Sequence, residues 1–509
     1  MQRTTGMFRI FGPPGTGKTT TLLNMVDKAL ESGVLPQEIA FLAFTKKAAT
    51  EAKERAAERF SLDAKNDLIF FRTLHSLALS MTDISSEQIM QPEHYKELSH
   101  AIGVELFGSK QGSDDFMDLA KTNDPLLGLI NLARLRKVPL REQYNESELD
   151  IDWNTVNYVD KSLRKYKTLY NLCDFTDMLE LFVEQAPTFK HRFKLTFLDE
   201  AQDLSPLQWD IAHILDDMSD KMYCAGDDDQ AIYRWAGADV DHFINLDGGS
   251  EILAQSYRVP ASVHAVAENI SNRISRRFPK RYEPKTDRGQ VSRISTIDGI
   301  DMANGSWLIL SQAGYQLSPV ATDLKSNGYL FNYRGHRSIS EKVADAVNGW
   351  EALRKGREIS GKTARNIYAF MSGKERVARG FKKLPALQDE DMVDLDTLIA
   401  DHGLNANKEM IWHVAMDKLP EQDRAYIIAL LRRGEKFNGE PRITVSTIHG
   451  SKGGEADNVV LFTDLSPAAE KAARNNPDDL HRVFYVGVTR ARQNLFIVEP
   501  EDVSRSYEL

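Results

Sequence analysis

Cysteine is scarce in this chain of 509 residues, since Cys173 and Cys224 are the only two. Two cysteines exclude a disulfide-rich extracellular scaffold and a structural zinc site with four cysteine ligands. No apolar run reaches the roughly 18 residues that a membrane-spanning helix needs, and the first residues do not resemble a signal peptide. We therefore expect a cytoplasmic protein, in a reducing compartment, with no membrane partner.

An excess of basic residues is also lacking. The 64 Lys and Arg residues against 74 Asp and Glu residues give a formal net charge of −10. An acidic total does not indicate a nucleic-acid partner, although phosphates bind to local grooves rather than to net charge. With 42% hydrophobic and 27% charged residues, the composition is that of a globular protein, which excludes wholesale disorder.

Short, continuous apolar runs alternate with helical segments along most of the chain, and a charged helix is predicted at Lys46–Phe60. This pattern is typical of parallel strands buried on both faces, so we predict an α/β fold. Two mostly helical stretches, at 86–165 and 341–440, interrupt the strand-rich blocks. The predicted strands are Met7–Phe11, Ile39–Phe44, Leu68–Phe71, Leu195–Leu198, Met222–Ala225, Trp307–Leu310, Ile443–Ser446, Val459–Phe462 and Leu495–Val498.

A glycine-rich loop lies between the first strand and the first predicted helix, with the spacing Gly12-x4-Gly17-Lys18-Thr19 of a Walker A loop. Its backbone N–H groups can surround phosphates at a helix N-terminus. Lys18 would supply charge to the β- and γ-phosphates, and the Thr19 hydroxyl would be a Mg²⁺ ligand. We predict nucleotide binding by Gly12, Pro13, Pro14, Gly15, Thr16, Gly17, Lys18, Thr19 and Thr20.

The strand Leu195–Leu198 runs directly into Asp199-Glu200-Ala-Gln-Asp203. Acidic residues at the carboxyl end of a buried strand occupy the place of a Walker B pair. Asp199 would hold Mg²⁺ and Glu200 would polarise the attacking water. A second match to the Walker A pattern, Gly356–Thr363, follows a charged helical segment instead of a buried strand, so we predict no nucleotide site there.

Several segments remain that spacing alone does not explain. Together with the acidic strand end they resemble, in order, the motifs of the UvrD/Rep/PcrA branch of superfamily 1 helicases. They are Phe44–Ala49 (FT-x-KAA), Thr73–Ala78 (TLHSLA), Asp199–Asp203 (DEAQD), Gly226–Trp235 (GDDDQ-x-IY-x-W), Ser256–Arg258 (SYR), Thr447–Gly453 (T-x-H-x-x-KG) and Tyr485–Ala491 (YVGVTRA).

The resemblance implies two RecA-like P-loop domains with parallel sheets, each carrying a mostly helical insertion, and ATP in the cleft between them. We expect the first domain to comprise 1–85 plus 166–255, interrupted by the insertion 86–165. The second would comprise 256–340 plus 441–509, interrupted by the insertion 341–440.

The resemblance also assigns roles at the nucleotide. Gln230 would sense the γ-phosphate, and Arg258 and Arg490 look like arginine fingers of the second domain. Tyr257 would lie against the adenine and Glu455 near the ribose. The implied catalytic set is Lys18, Asp199, Glu200, Gln230, Arg258 and Arg490.

A further set of residues is expected to line a path for single-stranded DNA. Aromatic faces stack on every base, which permits movement without sequence preference. The implied set is Phe44, Thr45, Thr73, His75, Tyr233, Trp235, Thr447 and His449.

The implied function is an ATP- and Mg²⁺-dependent helicase of DNA repair or replication. It would travel 3′→5′ on single-stranded DNA and act at junctions with duplex. Two alternatives stay open: a DNA-stimulated translocase that displaces proteins with little unwinding, and a P-loop kinase for a small molecule.

Two basic clusters have two possible interpretations, solvated surface or phosphate contact. They are Arg273, Arg276, Arg277, Lys280, Arg281, Lys285 and Arg288, followed by Arg376, Arg379, Lys382 and Lys383.

Overall fold

The structure, a computed structural model, describes residues 6–108, 124–384, 386–437 and 439–509. Residues 109–123 of the predicted helical stretch therefore lie outside the described residues. None of the helices in these ranges is long and apolar enough to cross a membrane. The chain divides into two compact units, Met1–Gly289 with Ala472–Thr489 and Gln290–Lys471 with Arg490–Leu509.

The first unit is built on a six-stranded sheet whose strands all run parallel. Its strand Ile39–Ala43 is buried on both faces along its whole length, as its unbroken apolar sequence predicts. The strands are β1 Phe8–Phe11, β2 Ile39–Ala43, β3 Phe71–Thr73, β4 Phe193–Leu198, β5 Ser219–Gly226 and β6 Ser250–Ile252. Their order across the sheet is β3-β2-β4-β5-β1-β6.

Helices and one further strand pair complete the first unit. The predicted helix Lys46–Phe60 is confirmed. Strands β7 Gln255–Pro260 and β8 Glu283–Lys285 pair with each other in parallel. The helices are α1 Lys18–Glu31, α2 Lys46–Phe60, α3 Leu74–Met81, α4 Pro92–Ile102, α5 Pro125–Leu135, α6 Leu140–Glu146, α7 Trp153–Tyr170, α8 Phe175–Gln185, α9 Pro206–Asp217, α10 Val240–Asn245, α11 Ala261–Ser271 and, later in the chain, Pro477–Val488.

The predicted strand Leu68–Phe71 is wrong in position, because β3 begins where that run ends. The residues before β3 form turns: the Asp63 carboxylate accepts the N–H groups of Lys65 and Asn66. The N–H of Phe71 then donates to the Leu68 carbonyl. The apolar run therefore bonds to the sheet just before β3 begins, where the Phe70 carbonyl accepts the Phe41 N–H at 3.1 Å.

The helices between α4 and α7 bury a core of their own, which includes Leu98, Ile130 and Leu163. Beside it, Arg134 of α5 and Lys167 of α7 both pair with Asp174, the N-cap of α8, at 2.8 and 2.6 Å. All three side chains are buried, so these ion pairs join three helices where water is largely excluded.

The second unit has a seven-stranded sheet in the order β12-β11-β15-β10-β16-β17-β9, parallel except for β12. Its strands are β9 Gln290–Ile294, β10 Trp307–Ser311, β11 Phe331–Tyr333, β12 His336–Arg337, β15 Ile443–Thr447, β16 Ala456–Phe462 and β17 Ala491–Val498, with β13 Ile359–Ser360 and β14 Met392–Val393 as a separate antiparallel pair. Its helices are α12 Ser318–Ser326, α13 Glu341–Arg354, α14 Gly361–Ala369, α15 Leu395–Asp401, α16 Trp412–Ala415 and α17 Glu421–Arg433. Helix α18 Pro467–Asn475 begins in the second unit and ends in the first, and the helix Pro477–Val488 of the first unit is α19.

One apolar core of the second unit includes residues of both its sheet and its helices. It joins Trp307 and Val445 of the sheet to Trp350, Tyr368 and Ile427 of helices α13, α14 and α17. The helical stretch after β12 therefore shares its core with the sheet, whereas the helices between α4 and α7 have a separate one.

Candidate nucleotide and nucleic-acid sites

The predicted site residues of the first unit follow the carboxyl ends of five strands. Parallel strands bring these ends to one edge of the sheet, where open α/β sheets bind ligands. The groups at this edge are the loop Gly12–Thr20 after β1, Phe44 and Thr45 after β2, Thr73 and His75 at β3, Asp199 and Glu200 after β4, and Asp227–Gln230 after β5.

The loop Gly12–Thr20 ends in the N-terminus of α1. Gly17 is the N-cap, in the left-handed conformation, and no acidic residue lies in the first turn. The N–H of Gly12 donates to the Gly226 carbonyl at 2.9 Å, and the Thr16 hydroxyl donates to the Pro13 carbonyl at 2.8 Å. The loop is thus held by its own bonds, and the helix dipole favours an anion at this end.

The segment Ser256–Arg258 is fastened to the same loop. The Tyr257 N–H donates to the Gly15 carbonyl at 2.8 Å, and the Ser256 hydroxyl donates to the Pro14 carbonyl at 2.7 Å. Gly15 has φ +72°, and a Cβ there would lie 2.2 Å from the Arg258 Cβ, so only glycine fits. The Tyr257 ring is 74% exposed beside the loop.

Lys18, Thr19, Asp199 and Glu200 meet at this edge. The Thr19 hydroxyl donates to Asp199 Oδ2 at 2.8 Å. Lys18 Nζ donates to the Gly12 carbonyl at 2.9 Å and lies 3.9 Å from Glu200 Oε1. Burial, then the neighbouring Glu200 carboxylate, raise the pKa of Asp199 to about 6 against the opposing effect of Lys18 and Thr19.

The Thr19 hydroxyl and the Asp199 carboxylate together fit a Mg²⁺ ion. They are hard oxygen donors in contact with each other at the phosphate loop, and Mg²⁺ is usually held by one or two carboxylates plus phosphates. The described residues contain no group of three or more His, Cys, Asp or Glu side chains suited to a metal.

The aromatic residues predicted for DNA differ in exposure. Phe44 and Tyr233 stack on each other, with centroids 5.8 Å apart and planes 10° apart, and both are buried. Trp235 meets Tyr233 edge-on and is 47% exposed. Trp235 is thus the most exposed of these three rings.

The polar residues predicted for DNA in the first unit have local roles. Thr45 and Thr73 are the N-caps of α2 and α3, each accepting a backbone N–H at 3.2 Å. His75 is buried, with its ring edge-on to Phe175. That these side chains line a DNA path stays a prediction.

The predicted residues of the second unit lie at two edges of its sheet. Thr447 ends β15, and its hydroxyl accepts the Gly450 N–H at 3.1 Å, with His449 in the turn that follows. Glu455 and Arg490 precede the neighbouring strands β16 and β17 at the opposite edge. The Ala456 N–H donates to the Arg490 carbonyl at 3.1 Å, and Arg490 Nη1 donates to the Gly454 carbonyl at 3.2 Å.

Comparison with known families decides what this geometry belongs to. Residues 1–249 match the UvrD/REP helicase N-terminal domain, and residues 418–501 match the UvrD-like helicase C-terminal domain. The two matches together cover more than half of the chain. The chain belongs to the UvrD/Rep helicase family.

Individual relatives of this helicase are distant. DNA helicase II of Rickettsia typhi is 22% identical over 99% of this chain and 92% of the relative. ATP-dependent DNA helicase PcrA of Leuconostoc citreum is 26% identical over 57% of this chain and 40% of the relative. A solved complex of the arterivirus nonstructural protein 10 helicase with DNA is 12% identical, with a TM-score of 0.33 over 98% of this chain and 62% of that one. That score is too low to establish a shared fold.

The helicase also contains a buried charge cluster that the sequence did not predict. The side chain of Lys280 is 1% exposed and contacts the carboxylates of Asp227, Asp228 and Asp229 at 3.2, 2.6 and 2.8 Å. Arg277 binds Asp229 through two nitrogens, at 2.9 and 2.6 Å. Burial opposes the charged amine, but the three carboxylates outweigh it and raise the pKa of Lys280.

Two residues of the first basic cluster, Arg277 and Lys280, belong to this buried charge cluster. Lys280 is buried and the Arg277 side chain is 18% exposed, and the charges of both are paired with the acidic turn after β5. In the second cluster, Lys382 donates to the carbonyls of Tyr368 and Met371. Pairing with carboxylates or carbonyls of the protein itself is thus a third possibility, besides solvated surface and phosphate contact.

The second Walker A match of this helicase has an ordinary structural role. It follows helix α13, as predicted, and Ser360 within it is the N-cap of α14. The Thr363 hydroxyl donates to the Asp345 carboxylate at 3.0 Å. The glycine at 361 is required by packing, since a Cβ there would lie 1.9 Å from the Gln388 carbonyl.

Proposed function

We propose that this helicase hydrolyses ATP at the loop Gly12–Thr20 to move 3′→5′ along single-stranded DNA, and that it acts at junctions with duplex. As a member of the UvrD/Rep family it is an ATP-dependent DNA helicase. The direction, the junction and the residue roles are our proposal. The observation that supports it is the meeting of Lys18, Thr19, Asp199 and Glu200 at the N-terminus of α1.

In this proposal each side chain at the loop has one task. Lys18 neutralises the β- and γ-phosphates, while Thr19 and Asp199 hold Mg²⁺. Mg²⁺, when bound with the nucleotide, neutralises charge on the phosphates. Glu200 orients the attacking water and accepts its proton.

Further residues complete the nucleotide site of the proposal. Gln230 contacts the γ-phosphate, and Tyr257 stacks on the adenine from its place beside Gly15. Arg258 neutralises the transferring phosphoryl group. Arg490 and Glu455 of the second unit keep the roles that the family resemblance implies, as an arginine finger and a ribose contact.

The DNA contact of the proposal centres on Trp235. Its ring is exposed and contacts Tyr233, which stacks on Phe44, and in the proposal it stacks on an unpaired base. The turn that carries Gln230 continues directly into Tyr233 and Trp235. A change at the γ-phosphate therefore has a short route along the chain to the base-stacking ring.

Hydrolysis of ATP measured with and without single-stranded DNA tests the proposal. We expect strong stimulation by single-stranded DNA and little by duplex alone. Hydrolysis indifferent to DNA would favour the small-molecule kinase. Rapid displacement of streptavidin from biotinylated DNA, with no strand separation, would favour the translocase alternative.

A further inference from the structure

Gln202 is fully buried between the acidic strand end after β4 and the turn after β5. Its Nε2 donates to Glu200 Oε2 at 2.5 Å and to Asp203 Oδ2 at 3.2 Å. Its Oε1 accepts the Asp227 N–H at 3.0 Å. One amide side chain thus contacts the proposed general base on one side and the second turn on the other.

The orientation of this amide is fixed by its surroundings. Two carboxylate oxygens face the nitrogen, and a backbone donor faces the oxygen, so a flipped amide would set oxygen against oxygen. Gly226 leaves room for it, because a Cβ at that position would lie 2.5 Å from Gln202 Oε1. A buried amide with both ends bonded is costly to replace by an apolar group.

Glu200 needs such a support. Its backbone lies in the left-handed region at φ 56°, which a residue with a Cβ adopts at some cost. Its N–H donates to Asp199 Oδ1 at 2.9 Å, and its carbonyl accepts the Asp203 N–H at 3.1 Å. These bonds hold the backbone, whereas the Gln202 amide holds the carboxylate itself.

The other end of Gln202 leads to Gln230. The Asp227 N–H donates to Gln202 Oε1, and Gln230 Nε2 donates to Asp227 Oδ2 at 2.7 Å. We infer that Gln202 is a positioning residue that aligns the Glu200 carboxylate for water attack and couples it to Gln230 through Asp227. This inference rests on the proposed function, in which Glu200 is the base.

The substitution Gln202→Met tests it, since methionine keeps the length and volume and removes both hydrogen-bonding groups. We expect kcat of DNA-stimulated ATP hydrolysis to fall about 10- to 100-fold, the loss expected from a misplaced catalytic group. KM for ATP and Kd for single-stranded DNA should stay within about threefold. The matched control is Gln208→Met, a buried glutamine of α9 that bonds Ser205 and not Glu200.

A double substitution separates positioning from simple structural support. If Gln202 acts through Glu200, adding Gln202→Met to Glu200→Gln changes the residual single-turnover rate by less than about twofold. An equal loss in both backgrounds would overturn the inference, as would unchanged kcat in Gln202→Met alone. Normal turnover in Glu200→Gln would instead refute the proposed base, which is a different failure.

Discussion

At the scale of single residues, the account depends on four side chains with separable tasks at one helix N-terminus. Lys18 lies within 3.9 Å of Glu200, and Thr19 bonds Asp199. In the proposed roles, Lys18 binds the phosphates and Glu200 activates the attacking water, so nucleotide binding and hydrolysis depend on different residues. Substitutions at these positions should differ in the kinetic step that they affect.

We expect Lys18→Ala and Glu200→Gln both to lose steady-state hydrolysis, but for different reasons. Loss of the Lys18 charge weakens nucleotide binding itself. Glu200→Gln keeps the shape of the side chain and removes the base, so ATP should still bind with near-normal Kd. Fluorescent-nucleotide titration beside steady-state kinetics checks this, and a Glu200→Gln variant that turns over normally would refute the role of Glu200.

Trp235→Ala is the second prediction at this scale. Removal of one base-stacking ring should weaken binding of single-stranded DNA by about 1–3 kcal/mol. Hydrolysis without DNA should persist, because the ring is not at the phosphate loop. Fluorescence anisotropy with a labelled oligonucleotide measures the affinity. Unchanged affinity with a much lower Tm would show that Trp235 serves packing instead.

At the scale of helices and strands, buried ion pairs join three helices of the first unit. Asp174 caps α8 and receives Arg134 from α5 and Lys167 from α7. Burial favours the neutral acid, but the two cations outweigh it and hold the pKa of Asp174 below its usual range. A folded-state pKa below the unfolded value stabilises the fold at neutral pH.

Asp174→Asn should therefore lower the free energy of unfolding by about 1.5–3 kcal/mol at pH 7, because Arg134 and Lys167 lose one charged partner and keep only the second carboxylate that they share, Asp177. The lowered pKa makes this contribution complete above about pH 4. This contribution is lost as the pH falls from there through the folded-state pKa. The free energies of unfolding of the unsubstituted protein and of Asp174→Asn should therefore converge in acid. Urea unfolding at pH 7, 4 and 3 measures this.

Asp152→Asn provides the control, since Asp152 caps the exposed start of α7 and hydrogen bonds to Thr155 and Asn154, rather than a cation among the described residues, lower its pKa. Asparagine preserves capping at both positions. A stability loss at Asp174 that does not change with pH would contradict the charge-based explanation.

Local sequence signals predicted the elements and motifs, whereas contacts between distant segments were missed. The strand before the phosphate loop and the helix Lys46–Phe60 follow from an apolar run and from helical spacing. Lys280 and its partner Asp228 are 52 residues apart, and Gln202 and Asp227 are 25 apart. No periodicity links such positions, so a basic run resembled surface and a glutamine inside the DEAQD segment received no role.

At the scale of the whole molecule, the two units use the same architecture differently. Each has a mainly parallel sheet and a helical stretch; one core of the second unit includes residues of both, whereas helices α4 to α7 of the first unit bury a core of their own. Residues 256–289 and 472–489 cluster with the first unit, where Ser275 bonds Asp478 and Arg482 bonds the Asp228 carbonyl. The sequence-based boundaries instead assign these two segments to the second RecA-like domain, and those boundaries remain a proposal.

Directed strand separation by the whole molecule is the central claim, and one unwinding experiment tests it most directly. Labelled duplexes with a 3′ tail, a 5′ tail or no tail are mixed with the protein, ATP and Mg²⁺, with Lys18→Ala as the control. We expect opening of the 3′-tailed duplex only, and none by Lys18→Ala. Equal opening of the 5′-tailed duplex, or opening by Lys18→Ala, would contradict the account.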